Sequence, residues 1–573
     1  MNVITFAGIT LKIMFKPFTG YFLTLLLFAV NSFAQNNFDQ KEKTNIPNNW
    51  YQLDLVKTGY NGISLDKAYT LLNAKKLTGN RIIVAVIDTG IDTLQEDIKP
   101  VLWTNSKEIP GNGIDDDHNG YIDDIHGWNF LGGKDGRNVK EESYEAARIY
   151  YTLKSKWEDN TTDTNKLQEN DLLEYQTFNR SKAWLFNDID FEEIAVIKST
   201  LPKMKVGDSI IRSDLGKTEY SAAELKDYSS SYLFARITRS ILLEIAKDNN
   251  NFDITNRDLL ESLQAKVRKA DAATTPSRSI RKEIIGDDET NINDRNYGNN
   301  DIMADFSFHG THCSGIIAAA RNNNKGIDGI ADHVQIMMLR AVPDGDEYDK
   351  DIANAIHYAV DNGAKIINMS FGKDFSLHKQ WVDDAFRYAD SKGVLLVHAA
   401  GNDSKNIDTA DNFPNPVYMD GKGRAGNVIT VGASGNVNDG GITAYFSNYG
   451  KSEVDVFAPG VSIYSTIPGV NAYGKASGTS MACPVVTGVA ALILGHYPKL
   501  SPQQIKYIIE RSVTVPAEKV NIPGTENKVY LNEISKTGGI VNAYEAVKLA
   551  GTINAEKGKT VLPKSKLKKI KMG

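Results

Sequence analysis

The chain has 573 residues, 41% hydrophobic and 24% charged, with a formal net charge of −6. That is enough to bury a large core with additions, and nothing in a charge so close to balance favours a nucleic-acid partner. Only two cysteines occur, Cys313 and Cys483. Both suit small buried positions as free thiols, with a mutual bridge as the alternative.

At the N-terminus Lys12 and Lys16 precede the apolar run Tyr21 to Val30, which ends in Asn31-Ser32-Phe33-Ala34. A positive flank, an apolar core shorter than a membrane span and a small-x-small ending predict a signal peptide over 1–34 and an exported product, periplasmic or extracellular. No membrane span is expected once it is removed. A polar, disordered linker follows over 35–49, then a helix over 64–72 with Ser64 as its cap.

Arg81 to Gly90 is β-rich without alternation, as in a parallel strand covered on both faces, and it ends in Asp88 and a glycine turn. Chemistry in open α/β sheets sits at that carboxyl edge. Next, Asp115, Asp117 and Asn119 alternate before Gly120, with Tyr121 able to offer a carbonyl and Asp123 a further oxygen. This reproduces the first half of an EF-hand loop, although the twelfth position is His126 rather than Glu. Hard oxygens at this spacing favour structural Ca²⁺, and the alternative is a solvated Asp/Asn-rich turn.

Residues 131–293 change character. Helical spacing with charged outer faces predicts helices over 141–157, 167–186, 221–248 and 256–270, a large helical insertion. It either decorates the surface, covers one end of a cleft or aids folding. His309 follows, in Phe308-His309-Gly310-Thr311-His312, ahead of a small-residue helix. From there strands (334–342, 364–369, 394–400, 428–433, 454–457) alternate with helices (351–362, 378–392), as in a parallel sheet.

Ser480, in Gly478-Thr479-Ser480-Met481-Ala482-Cys483-Pro484, stands where an apolar helix begins and Pro484 fits the first turn. Unpaired N–H groups there can hold an anion forming on an attacked carbonyl. Helices over 501–512 and 539–550 close the domain, and 553–573 is a lysine-rich flexible tail.

Asp88-Thr89-Gly90-Ile91-Asp92, His309-Gly310-Thr311-His312 and Gly478 to Pro484, in that order, resemble the subtilisin-family (subtilase) serine peptidases. The resemblance implies an α/β fold of three layers, a mostly parallel central sheet with helices on both faces, built from 50–130 and 294–552. It implies Ser480 as nucleophile, His309 as general base and Asp88 as the group that orients it, roles for which this family is itself one of the standard examples. Ala400-Gly401-Asn402 matches the segment whose asparagine stabilises the oxyanion, and Ser370-Phe371-Gly372 the edge that pairs with an extended peptide. Asp403 would then lie beside the pocket for the residue before the cut. Many secreted members also carry a folded pro-domain ahead of the core, for which the stretch from Ala34 to Trp50 is too short.

The expectation is therefore a secreted, monomeric serine endopeptidase of broad specificity acting on polypeptides. A dedicated processing peptidase with a narrowed cleft, or a catalytically silent scaffold binding partners, is the alternative. A lipase or esterase is excluded: Ser480 lacks the Gly-x-Ser-x-Gly elbow and the order Ser, Asp, His.

Overall fold

The computed structural model describes residues 46–553 apart from 159–161, 188, 218, 249–251, 253, 277–279, 305–306 and 437–438, together with the backbone of 4–6, 9–11 and 570–571. Most of the expected leader over 1–34, most of the linker and nearly all of the tail lie outside the described residues.

The apolar run after Arg81 forms strand β1 (Ile82–Asp88), the middle of a sheet. It pairs in parallel with β3 (Val334–Arg340) on one side and with β4 (Ile366–Met369) on the other. The sheet extends past β3 to the short β2 (Gly127–Asn129), and past β4 through β5 (Leu395–Ala399) and β6 (Val428–Asn436) to β8 (Val456–Pro459), all parallel. Strand β7 (Asp439–Thr443) adds antiparallel to β6.

Side chains alternate across β1, and both faces are covered. Val84 and Val86 join one core with Ile316, Ile317, Val485 and Val489, from helices α7 (Phe308–Ala318) and α10 (Thr479–His496). Ala85 and Ile87 join a second core with Ile352, Ile356 and Phe386, from α8 (Asp349–Asp361) and α9 (Lys379–Ser391). The result is a three-layer α/β fold with a mostly parallel sheet. Helix α10 is apolar all round and long enough to cross a membrane, but it is buried in the first core.

Two compact units are present: Lys182–Pro276, and Ile46–Ser181 together with the chain from Ser277 onward. The first is helical, with its own apolar core of Ile197, Met204, Ile211, Leu242 and Leu259. Its longest helix, α4 (Phe191–Leu215), is absent from the predicted elements. Pro202 and Gly207 interrupt its pattern, yet Asp190 caps it through the N–H groups of Glu192 and Glu193. Gly207 has a packing role, since a Cβ there would lie 2.3 Å from the carbonyl oxygen of Phe234. The single helix expected over 221–248 is instead a turn followed by α5 (Leu233–Asp248), and α6 (Asn256–Thr274) matches its expected start.

The ends of the predicted insertion belong to the sheet's unit, where fully buried charges hold them. Arg281 meets Asp351 at 2.6 and 2.8 Å and Asp287 at 2.7 Å, and Lys350 meets Asp287 at 2.6 Å. Glu145, opening α2 (Glu145–Trp157), pairs with Arg148 and stands 3.7 Å from Lys373. Burial works against its charge, but those two cations hold its carboxyl at about 2. Buried ion pairs of this kind fix where segments sit more surely than they add stability.

Candidate active site

Strand β1 delivers Asp88 to the carboxyl edge of the sheet, and α7 begins beside it with His309 in its first turn. The approach is close because residue 310 is glycine: a Cβ there would lie 2.1 Å from the carbonyl oxygen of Gly90. His309 Nδ1 is thereby placed 2.8 Å from Asp88 Oδ1 and 3.0 Å from Oδ2. Asp88 is 1% exposed, and its Oδ1 also accepts the Thr89 N–H at 2.7 Å. Burial opposes a charged imidazole, but the Asp88 carboxylate outweighs it and holds the His309 pKa well above the ordinary value.

Ser480 lies in the first turn of α10, as the apolar run after Pro484 predicts. Its hydroxyl donates to the carbonyl of Ser370 at 3.1 Å, and its own carbonyl accepts the Ser370 hydroxyl at 2.9 Å. Cys313 ties the two catalytic candidates together: its sulfur is 3.4 Å from the Ser480 carbonyl oxygen and 3.9 Å from His309 Nδ1. Both cysteines are free and buried, and burial raises both thiols, which suits packing rather than nucleophilic attack.

Asn402 faces the same point. Its Oδ1 accepts both the N–H and the hydroxyl of Thr479, at 2.8 and 2.9 Å, which turns Nδ2 outward. A Cβ built on Gly478 would be 3.5 Å from Asn402 Nδ2 and 3.5 Å from the Ser480 nitrogen. Two N–H donors thus flank one small space next to the serine, the arrangement that receives an oxyanion.

The profile of the Subtilase family (Peptidase_S8) matches residues 79–529, most of the chain. The chain belongs to the subtilase family. It is 40% identical over 244 residues to a thermophilic serine proteinase of Bacillus sp. (strain AK1), which is 42% of this chain and 53% of that protein. Thermitase of Thermoactinomyces vulgaris is 40% identical over 240 residues, 42% of this chain and 74% of thermitase. The chain thus spans about half the length of the first of these relatives. Among solved structures, proteases from Pseudoalteromonas arctica PAMC 21717 align at 32% identity and a TM-score of 0.34, over 42% of this chain and 70% of theirs. Subtilases are serine peptidases, that is, hydrolases.

In this subtilase the edge Ser370-Phe371-Gly372 continues from β4 and runs past Ser480. The Phe371 carbonyl is bound by Nε2 of the buried His398, at 2.8 Å. Burial holds that imidazole down at about 4, so it is neutral and its Nε2–H is the donor. Opposite, the turn after β5 carries Gly401, Asn402 and Asp403, and Asn448 braces it by accepting the Asp403 and Lys405 N–H groups at 3.0 and 2.8 Å. Asp403 itself points to solvent, 59% exposed and 3.5 Å from Lys405 Nζ, where a charge is well screened. Sequence reasoning missed the far end of this slot: Asn412 and Phe413, which with His398 also border a cavity of about 380 Å³. Their segment is polar and aperiodic, and only Phe413-Pro414 marks it as a built turn.

The acidic loop assembles around a residue that the repeat does not include. Carboxylate oxygens of Glu108, Asp115 and Asp117 all lie within 4.8 Å of one another. Asp115 also accepts the Asn119 and Gly120 N–H groups, at 3.1 and 2.8 Å, which folds the loop around it. Three converging hard oxygens fit Ca²⁺. Asp123 is placed elsewhere, accepting the N–H groups of Gly111, Asn112 and Gly113 at 2.8, 3.2 and 2.9 Å. Asn119 is spent on the Tyr121 N–H and on Asp124, and the Tyr121 ring packs against Trp128 and Tyr358. The missing twelfth-position Glu was the available signal for a carboxylate from outside the loop.

Proposed function

We propose that this chain is an exported serine endopeptidase that cleaves polypeptides through an acyl-enzyme. Rotation about the Ser480 Cα–Cβ bond would free its hydroxyl from the Ser370 carbonyl so that it can donate to His309 Nε2, the ring nitrogen that Asp88 does not occupy. His309 takes the proton as Oγ attacks the peptide carbonyl, and the resulting imidazolium is stabilised by Asp88. Asn402 Nδ2 and the Ser480 N–H receive the oxyanion. His309 then protonates the leaving amine, and water repeats the sequence to release the acid. The observation that carries this reading is the convergence of those two donors beside a serine whose neighbouring imidazole is paired with a buried carboxylate.

The substrate lies along Ser370 to Gly372 as an added strand, so recognition is largely through backbone and tolerant of side chains. Glu108, Asp115 and Asp117 would hold Ca²⁺, whose role is to rigidify the 105–126 loop. The positive flank and apolar run before Ala34 support export. Labelling with a fluorophosphonate probe tests the central claim: the wild type should be modified at Ser480 and should hydrolyse denatured casein, and Ser480→Ala should do neither. Labelling that survives this substitution would end the proposal.

A further inference from the structure

Strand β4 is apolar except at Asn368, and that residue faces the core. Alternation along the strand puts it on the side of Ile366, toward α7 and α10, and it is fully buried. An amide in such a place is costly unless it is hydrogen-bonded. Its partners run in a line. Asn368 Oδ1 accepts the Thr487 hydroxyl at 2.9 Å and lies 3.3 Å from the Cys483 sulfur, both on α10. Its Nδ2 donates to Ser370 Oγ at 2.9 Å, and the Ser370 hydroxyl donates in turn to the Ser480 carbonyl at 2.9 Å.

The line ends on a carbonyl that the helix cannot satisfy in the usual way. In an α-helix the oxygen of residue 480 accepts from the N–H of residue 484. Residue 484 is proline and has none. The Ser370 hydroxyl takes that place, and Cys313 Sγ reaches the same oxygen at 3.4 Å. A hydroxyl has one proton, so Ser370 accepts from Asn368 in order to donate to Ser480. That settles the sense of each bond, including which end of the Asn368 amide meets Thr487.

Resting on the peptidase reading above, we infer that Asn368 is a positioning residue for the nucleophile: held by Thr487, its amide aims the Ser370 hydroxyl at the Ser480 carbonyl. The helical turn fixed in this way carries both Ser480 Oγ and the Ser480 N–H. A shift of that turn moves the first relative to His309 and the second relative to Asn402 at the same time. Both matter in the transition state more than in holding the peptide, so the effect falls on kcat rather than KM.

The test reads kcat and KM on one peptide p-nitroanilide, with fluorophosphonate titration counting competent sites. Asn368→Leu and Ser370→Ala should each lower kcat roughly 10- to 100-fold with KM held within about twofold, the effect of reacting groups out of place. The double variant should be no slower than the worse single one, because both break the same line. Thr487→Val should lower kcat by roughly 3- to 10-fold, the effect of one net hydrogen bond, and Thr487→Ser should restore it. Unchanged kcat in Asn368→Leu, losses that multiply in the double variant, or a change confined to KM would overturn the inference and leave the peptidase reading standing. Should Asn368→Leu not fold, Thr487→Val decides, and an unchanged kcat there overturns the inference. A wild type that neither labels at Ser480 nor hydrolyses the peptide would overturn both.

Discussion

His309 Nδ1 sits 2.8 Å from Asp88 Oδ1, against a carboxylate that solvent scarcely reaches. The pairing favours the charged imidazole, and a general base works only when neutral. The acid limb of kcat/KM should therefore lie above the 6.5 of an ordinary histidine, with activity rising as pH rises through it. Asp88→Asn should move that limb down and lower kcat by about 10⁴. Stability runs the other way: the pair's contribution is complete below the unfolded histidine value and is lost as pH rises through the raised folded one. A pH–rate profile of both proteins decides the point, and a limb that does not move would refute the pairing's role.

Asn402 should matter to turnover more than to binding. Its Nδ2 has no work to do until charge develops on the substrate oxygen, so Asn402→Ala should lower kcat about 10²–10³-fold with a much smaller change in KM. Steady-state kinetics on a single peptide separate the two. A KM effect alone would make Asn402 a substrate-binding residue rather than an oxyanion donor.

Much of this was legible in the sequence, and the reason is local. Strand β1 and helix α10 announce themselves by apolar runs, and Asp88, His309 and Ser480 each stand at the end or start of one. What was not legible is what arrives from elsewhere in the chain. Helix α4 hides behind Pro202 and Gly207, and Gly207 is there for close contact with α5. Glu108 reaches the acidic loop by chain reversal, and Asn412 meets Gly372 and Gly401 only in the folded slot. The direction of the Ser480 hydroxyl, toward Ser370, is likewise a tertiary choice.

Glu108 makes the calcium proposal testable without any assay of activity. A bound cation stabilises the native state by RT ln(1 + [Ca²⁺]/Kd), about 2.7 kcal/mol at a hundredfold excess over Kd. EGTA should lower Tm by several degrees. Glu108→Gln should lower Tm in calcium and abolish the response to EGTA. Asp123→Asn should keep that response, because Asp123 braces the 111–113 turn and does not face the cluster. A wild-type Tm indifferent to EGTA would leave the loop a hydrogen-bonded turn.

Glu347 presents the opposite case, a carboxyl that the fold would be better without. It is 2% exposed, and among the described residues its Oε1 meets no donor. Burial pushes its pKa up from 4.5 to about 7, with nearby Lys373 only partly offsetting the effect. Above pH 4.5 the unfolded chain releases this proton and the folded one retains it, so the carboxyl destabilises the native state increasingly up to about pH 7. Glu347→Gln keeps the shape and cannot ionise. It should raise the urea midpoint at pH 8, by about 1–3 kcal/mol of stability, and leave it unchanged near pH 4.5. A gain of equal size at both values would mean that packing, not charge, is at issue, and no gain at pH 8 would mean that the carboxylate is accommodated after all.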